Sequence, residues 1–318
     1  MDHETLAKEL IRVLRGARSQ PWLSRRVGLK SNLVYRWEAG RAWPSTPQFF
    51  RVCRAAGQRV APGLERFIGH GDAIELESTQ GVAELLRALA GPRKVLDIAH
   101  AVGRSRFVVS RWLAGKTDVR LPDFLRFIEA TTLRLLDVLA LVLDPATLPS
   151  VARAWKRLQV ARQAAYDVPW SHAVLRVLEL EDYRARATPG EGWIAERLGI
   201  SVDEERRCLT LLVQSGQIRR RGAHFQVRGS SIVDTRVDVE RRRALRAFWS
   251  RVAVERLAQG EQGVNAFNLF AIAERDLPKV LELHGELFER LRALVARSAP
   301  SERVVLYAAQ IVELDRPR

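Results

Sequence analysis

Asn32 and Arg36 lie four residues apart in the stretch Arg18–Arg41, which reads RSQPWLSRRVGLKSNLVYRWEAGR. At that spacing two side chains share one face of a helix. Both carry planar, bidentate heads. An amide can bridge the donor and acceptor of adenine, and a guanidinium can bridge the two acceptors of guanine. Lys30 and Ser31 come just before them, and Gln20 offers a second amide upstream. Arg25, Arg26 and Arg41 flank the set and suit phosphate oxygens, which position a protein on a duplex without reporting base sequence. Catalytic chemistry has no comparable signature. The chain lacks a Gly-rich phosphate loop, clustered carboxylates and a paired Cys/His nucleophile. Its 6 histidines and 2 cysteines keep no metal-ligand spacing, so no enzyme, metal or cofactor is expected. Cys53 and Cys208 sit in apolar helical contexts and read as reduced core residues.

The same stretch recurs 75 residues later without a gap. Val27, Gly28, Val34, Arg36, Trp37, Ala39 and Gly40 return as Val102, Gly103, Val109, Arg111, Trp112, Ala114 and Gly115. Upstream, Glu9, Leu10, Arg12, Leu14, Gly16 and Arg18 return as Glu84, Leu85, Arg87, Leu89, Gly91 and Arg93. Downstream, Pro47, Phe49, Arg51, Ala55 and Arg59 return as Pro122, Phe124, Arg126, Ala130 and Arg134. One small helical unit has been built twice. The second copy changes the chemistry of its face. Gln20 becomes Val95, Asn32 becomes Phe107 and Glu38 becomes Leu113. Arg104, Ser105, Arg106, Phe107, Arg111 and Lys116 are its candidate nucleic-acid contacts. Phe107 suits a thymine methyl, or equally a protein surface.

The elements that must carry these residues are short helices. Glu4–Arg15 places Leu6, Leu10, Val13 and Leu14 on one stripe. Ser19 can cap a second helix with Pro21 in its first turn, and Gly28 supplies a tight turn. Ser31–Ala39 forms a third helix that turns Leu33, Val34 and Trp37 inward and Ser31, Asn32, Tyr35 and Arg36 outward. Two short helices about a Gly-containing turn describe a DNA-binding helix-turn-helix. The segment LSRRVGLKSNLVYRWEAGRAWPS resembles the Cro/repressor class of such domains, including the W-E-x-G turn after the recognition helix. That resemblance implies a groove-facing set of Gln20, Lys30, Ser31, Asn32 and Arg36. It also implies a pair between Glu38 and an arginine of the first helix; with Leu113 in the second copy, Arg87 must look elsewhere.

Net charge is +15 and is unevenly spread. Residues 1–60 carry 12 basic and 4 acidic groups, whereas residues 61–150 balance, with a local basic patch over Arg93–Lys116. An excess gathered on one unit is the footprint of nucleic acid. Arginine outnumbers lysine 46 to 6, a coding bias that does not account for where the charge gathers. No apolar run reaches the ~18 residues of a membrane span and no leader is read at Met1, so a cytoplasmic, nucleoid-associated protein is expected.

Beyond the repeats, Leu121–Leu143 reads as one long apolar helix, Ala152–Ala165 as another, and Trp170–Arg186 as a third. Gly192–Leu198, Ser201–Gln214 and a hairpin over Ile218–Arg228 make a winged helix. Its wing Arg219, Arg220 and Arg221 would attract phosphate, while Asp203, Glu204 and Glu205 would repel it. A structural or dimer-support role is favoured over base reading. The last third reads as helix Thr235–Gln259, strand Val264–Ala273, helix Asp276–Arg297 and strand Arg303–Val312. Residues 80–318 resemble an uncharacterised family of predicted bacterial transcriptional regulators, through Trp170–Leu178, Trp193–Ser201 and Val305–Gln310.

The expected fold is mainly α. It has helix-turn-helix domains at 1–68 and 79–145, a helical linker and winged-helix-like domain at 150–229, and a small α+β domain at 230–318 for dimerisation or sensing. The expected function is sequence-specific binding of double-stranded DNA by a homodimeric transcriptional regulator, with an effector or protein partner at the C-terminal domain. The alternative is a protein-interaction module, an antitoxin or adaptor, whose helix-turn-helix units dock protein.

Overall fold

The computed structural model describes the chain apart from residues 30–31, 70–72, 229–234, 236–237, 261–262, 296 and 316–318. It is mainly helical and divides into two compact units, 1–159 and 160–318 for the described residues.

The first unit opens with α1 (His3–Arg15), whose N-terminus is closed by Asp2 accepting from the Glu4 and Thr5 amides at 3.1 Å. Ser19 caps α2 (Gln20–Arg26), accepting from Trp22 N at 3.2 Å, and Pro21 falls in the first turn where no N–H is needed. Gly28 takes φ 74°, the left-handed turn that a Cβ would disfavour. Then come α3 (Leu33–Glu38), α4 (Thr46–Ala55) with a Ser45/Gln48 capping box, and α5 (Ala61–Ile68). The second copy repeats the scheme as α6 (Thr79–Ala90), α7 (Val95–Val102), α8 (Arg106–Leu113) and α9 (Leu121–Thr132), with Gly103 at φ 64° in place of Gly28. The long helix expected over Leu121–Leu143 is broken. Thr131 and Thr132 turn their hydroxyls back onto the carbonyls of Phe127 and Ile128, Leu133 adopts φ 54°, and α10 (Leu135–Ala140) restarts in a new direction. The break returns Leu135, Val138, Leu139 and Val142 to the core.

The two copies are not separate beads. One continuous core joins Leu6, Leu10 and Trp37 of the first to Leu85, Val109 and Trp112 of the second. Ser45 and Arg120, which are equivalent positions, pair as an antiparallel bridge. Thr46 N donates to Val119 O at 2.8 Å and Leu121 N donates to Pro44 O at 3.0 Å. A shift of 75 residues turns each bond into the other. Likewise α1 packs on α9, and α6 packs on α4. Phe50 meets Phe124 edge-on at 5.8 Å. Even the charges echo one another: Arg54 pairs with Glu77 at 2.7 Å, while its counterpart Glu129 bonds His3 at 2.6 Å, a contact that holds the Glu129 carboxyl below its usual range. An exchange in which i meets j and j meets i marks a two-fold axis. Pairing the copies gathers α1, α4, α6 and α9 around one larger core, and the fraction of surface buried on folding rises with size.

The helix α11 (Pro149–Asp167) leads from the first unit's sequence into that of the second. The second unit holds α12 (Trp170–Val177), α13 (Glu181–Ala185), α14 (Trp193–Leu198), α15 (Val202–Gln214), and a hairpin of β1 (Ile218–Arg221) and β2 (His224–Val227). Its strands pair antiparallel, Ile218 opposite Val227 and Arg221 opposite His224. The core gathers Val174, Val177, Leu178, Leu180, Tyr183, Ile194, Cys208, Leu212 and Ile218. Tyr183 ties the hairpin down, its hydroxyl accepting from Phe225 N at 3.0 Å. The helix expected over Trp170–Arg186 is interrupted because Leu178 and Leu180 are both buried. On one helix they would sit about 200° apart and could not share a core. Burial pushes the Cys208 thiol up to about 12 and raises that of Cys53, so neither thiol is a ready nucleophile.

Two helices follow, α16 (Val239–Ala258) and α17 (Leu277–Val295). The strands expected at Val264–Ala273 and Arg303–Val312 do not form, and the small α+β domain with them. Among the described residues the sheet is β1 and β2 alone. Alternation prepares a chain for a sheet, but a strand exists only when its N–H and C=O groups find a ladder partner. Trp170 instead meets Phe248 and Trp249 of α16 edge-on, at 6.0 and 5.4 Å.

His172 makes the second unit acid-sensitive. Burial, with the Arg176 guanidinium one turn on, pushes its imidazole down to about 4. The unfolded chain therefore binds a proton near pH 6.5 that the folded chain refuses until about 4. Stability should fall as pH drops through that window, by about 2–3 kcal/mol. His172→Gln should flatten the fall in urea titrations between pH 7 and 4; an unchanged slope would remove His172 as the cause.

Candidate nucleic-acid interface

In the first copy Val34 and Trp37 anchor α3 to the core, and Asn32, Tyr35 and Arg36 are exposed. Asn32 precedes the helix and makes no capping hydrogen bond, which leaves its amide available. Arg41 lies over the Tyr35 ring at 5.9 Å, and Arg18 over Trp22 at 4.7 Å. Arg25 and Arg26 are exposed on α2. Lys30 and Ser31 lie outside the described residues. Gln20 departs from its assigned role. Its amide donates to the buried Glu38 carboxylate at 2.6 Å, beside Arg15, which donates from Nε at 2.6 Å. The arginine that pairs with the carboxylate is therefore Arg15, while Arg12 reaches the Glu38 carbonyl at 3.3 Å.

In the second copy Ser105 caps α8, accepting from Val108 N at 3.4 Å. Arg106, Phe107, Ser110 and Arg111 are exposed, and Phe107 is 75% so, with Arg106 over its ring at 5.8 Å. Lys116 is exposed beyond the helix. Arg104 is engaged elsewhere. It donates to Asp123 from Nε at 3.1 Å and from Nη2 at 2.8 and 3.1 Å, and Arg126 shares that carboxylate at 2.8 Å. It holds the turn to α9, so its guanidinium is not free for a phosphate. Arg87, left without a carboxylate by Leu113, donates to the Leu113 carbonyl at 2.6 Å, as Arg12 does to Glu38.

In the second unit Arg219, Arg220 and Arg221 project from β1. Arg219 reaches Gln226 and Arg220 reaches the Gly222 carbonyl, both at 3.2 Å. The acidic run Asp203–Glu205 is engaged within its own helix and with α14. Glu205 is buried and accepts from Ala195 N at 2.7 Å, and Asp203 joins Glu191 in holding Arg206. Two exposed groups escaped the sequence reading of contacts. One is Tyr35, which the helical period turned outward but which was not among the contacts; the other is Leu96 on α7, 62% exposed, for which there was no signal. Among the described residues no helix is long and apolar enough to cross a membrane.

Comparison with known proteins gives one match. A family profile described as a domain of unknown function, DUF4423, matches residues 150–314 and so begins beyond both repeats. No curated protein and no solved structure matches the chain. The matched stretch carries Trp170–Leu178, Trp193–Ser201 and Val305–Gln310, the motifs singled out above, over more than half of the sequence. By that match the chain belongs to the DUF4423 family, with a duplicated helical unit ahead of the family domain.

Proposed function

We propose that the protein is a sequence-specific, double-stranded DNA-binding transcriptional regulator, whose α2–α3 and α7–α8 pairs are helix-turn-helix units and whose α14–α15 and hairpin form a winged-helix-like support. One observation carries the reading. Asn32, just before α3, and Arg36, on the exposed side of α3, present an uncommitted amide and a guanidinium on a unit with a large basic excess. Such a face has the chemistry of adenine and guanine recognition. Asn32→Ala or Arg36→Ala should each weaken cognate binding by ~1–3 kcal/mol and relax preference at one base pair. Equal losses on cognate and random duplex would make them phosphate contacts instead. Binding should weaken with salt, by about 0.9 in log–log slope for each phosphate neutralised.

A second reading attaches to the second copy alone. Phe107 at 75% exposure favours a protein-docking face there, as in an antitoxin or adaptor. A homodimer through residues 230–318 is part of the first reading. Leu281, Leu283 and Leu294 of α17, and Phe267, Val305 and Val312 in the segments before and after it, are each more than half exposed, which supports a covered surface in the assembly. Light scattering at micromolar concentration should report twice the chain mass, and a monomer would reject it.

A further inference from the structure

The two copies exchange their main-chain bonds as subunits of a symmetric dimer do, but within one chain. Ser45 and Arg120 mark the axis, with Thr46 N on Val119 O and Leu121 N on Pro44 O to either side. Side-chain contacts across it include those of His3 with Glu129, Phe50 with Phe124, Arg54 with Glu77, and Arg120 with the Trp43 carbonyl. Asn32 at the start of α3, Arg36 on it, and Phe107 and Arg111 on α8 are exposed. The axis therefore relates the two faces by inversion of direction, whereas tandem units strung as beads would repeat in the same direction.

Chain length bounds their separation. Six steps along the chain join Ala39, at the end of α3, to Ser45, and six join Ala114 to Arg120. Each path spans at most about 21 Å. With about 5 Å across the bridge, the ends of α3 and α8 lie within about 47 Å of each other. Half-sites one helical turn apart, about 34 Å, fit this limit; two turns, about 68 Å, exceed it.

We propose that one chain serves as its own dimer, reading two inverted but unlike half-sites one helical turn apart. The half-site under α3 is read by Asn32 and Arg36 through adenine and guanine edges. The half-site under α8 carries thymine opposite Phe107, with guanine for Arg111. The inference rests on the DNA-binding reading above and adds the number, direction and spacing of its half-sites.

The test is selection of duplexes from a random pool by the full chain, followed by sedimentation to count duplexes per chain. The expected site is an imperfect inverted repeat with centres about 10 base pairs apart, bound at one duplex per chain. Scrambling either half should weaken binding about 10- to 100-fold. Phe107→Asn, at an exposed position that folding does not use, should shift the second half towards the first and make the site more palindromic. A direct repeat, a two-turn spacing, or a single half-site bound as tightly as the pair would overturn the inference and leave DNA binding standing. A second half unmoved by Phe107→Asn would overturn the assignment of α8. Neither enrichment nor salt-dependent binding would remove the DNA-binding reading, and the inference with it.

Discussion

Glu38→Ala should destabilise the first unit by about 2–4 kcal/mol, although the side chain lies behind the reading face and not on it. The carboxylate is buried and accepts from Arg15 Nε at 2.6 Å, Arg15 Nη2 at 3.3 Å and Gln20 Nε2 at 2.6 Å. Removing it takes the acceptor from Arg15 Nε and Nη2 and from the Gln20 amide, leaving Arg15 only the Gly16 and Arg18 carbonyls. The second copy shows how the same site is satisfied without charge. Arg15, Gln20 and Glu38 become Ala90, Val95 and Leu113, and Val95 and Leu113 pack against the common core. A buried ion pair can give way to matched apolar groups at little net cost, because the desolvation penalty leaves with it. The triple variant Arg15→Ala, Gln20→Val, Glu38→Leu should therefore stay within about 1 kcal/mol of the parent. Urea denaturation of the single and triple variants measures both. A triple variant as unstable as Glu38→Ala would show that the two copies need different cores.

Deleting residues 1–75 should abolish cooperative folding of the second copy. Without α1 the flank of α9 loses its cover, and Leu121 N and Val119 O lose Pro44 O and Thr46 N. Both backbone groups pair across the axis, and apolar surface of α6 that faces α4 would open to water. Near-UV circular dichroism and limited proteolysis should show residues 76–159 without fixed packing, while the parent first unit unfolds in one transition. A truncated chain that melts cooperatively would mean that each copy is a domain in its own right, and would undo the shared core.

Some features were legible because they depend on near neighbours. Ser19 as a cap, Gly28 and Gly103 as left-handed turns, and Trp37 and Trp112 as inward anchors follow from local spacing, whereas Ser105, read as a nucleic-acid contact, also caps α8. The hairpin over Ile218–Val227 follows from its turn and alternation. Where distant partners decide, local pattern misled. Leu178 and Leu180 share a core only if the helix between them breaks, and Val264–Ala273 alternates like a strand but finds no ladder.

The candidate site divides in the same way. Residue types and the 75-residue repeat alone determined that Arg36, Arg106, Phe107 and Arg111 stand on outward helix faces, since helical period and the inward Trp fix which side is out; Asn32 is exposed too, but just ahead of a helix that starts at Leu33. Only the tertiary structure decided that Gln20 and Arg104 are held by Glu38 and Asp123. It alone decided that the two copies meet about an axis through Ser45 and Arg120. The reason is that a side chain's partner, and a repeat's handed relation to its twin, depend on contacts between residues far apart in sequence, which periodicity cannot encode.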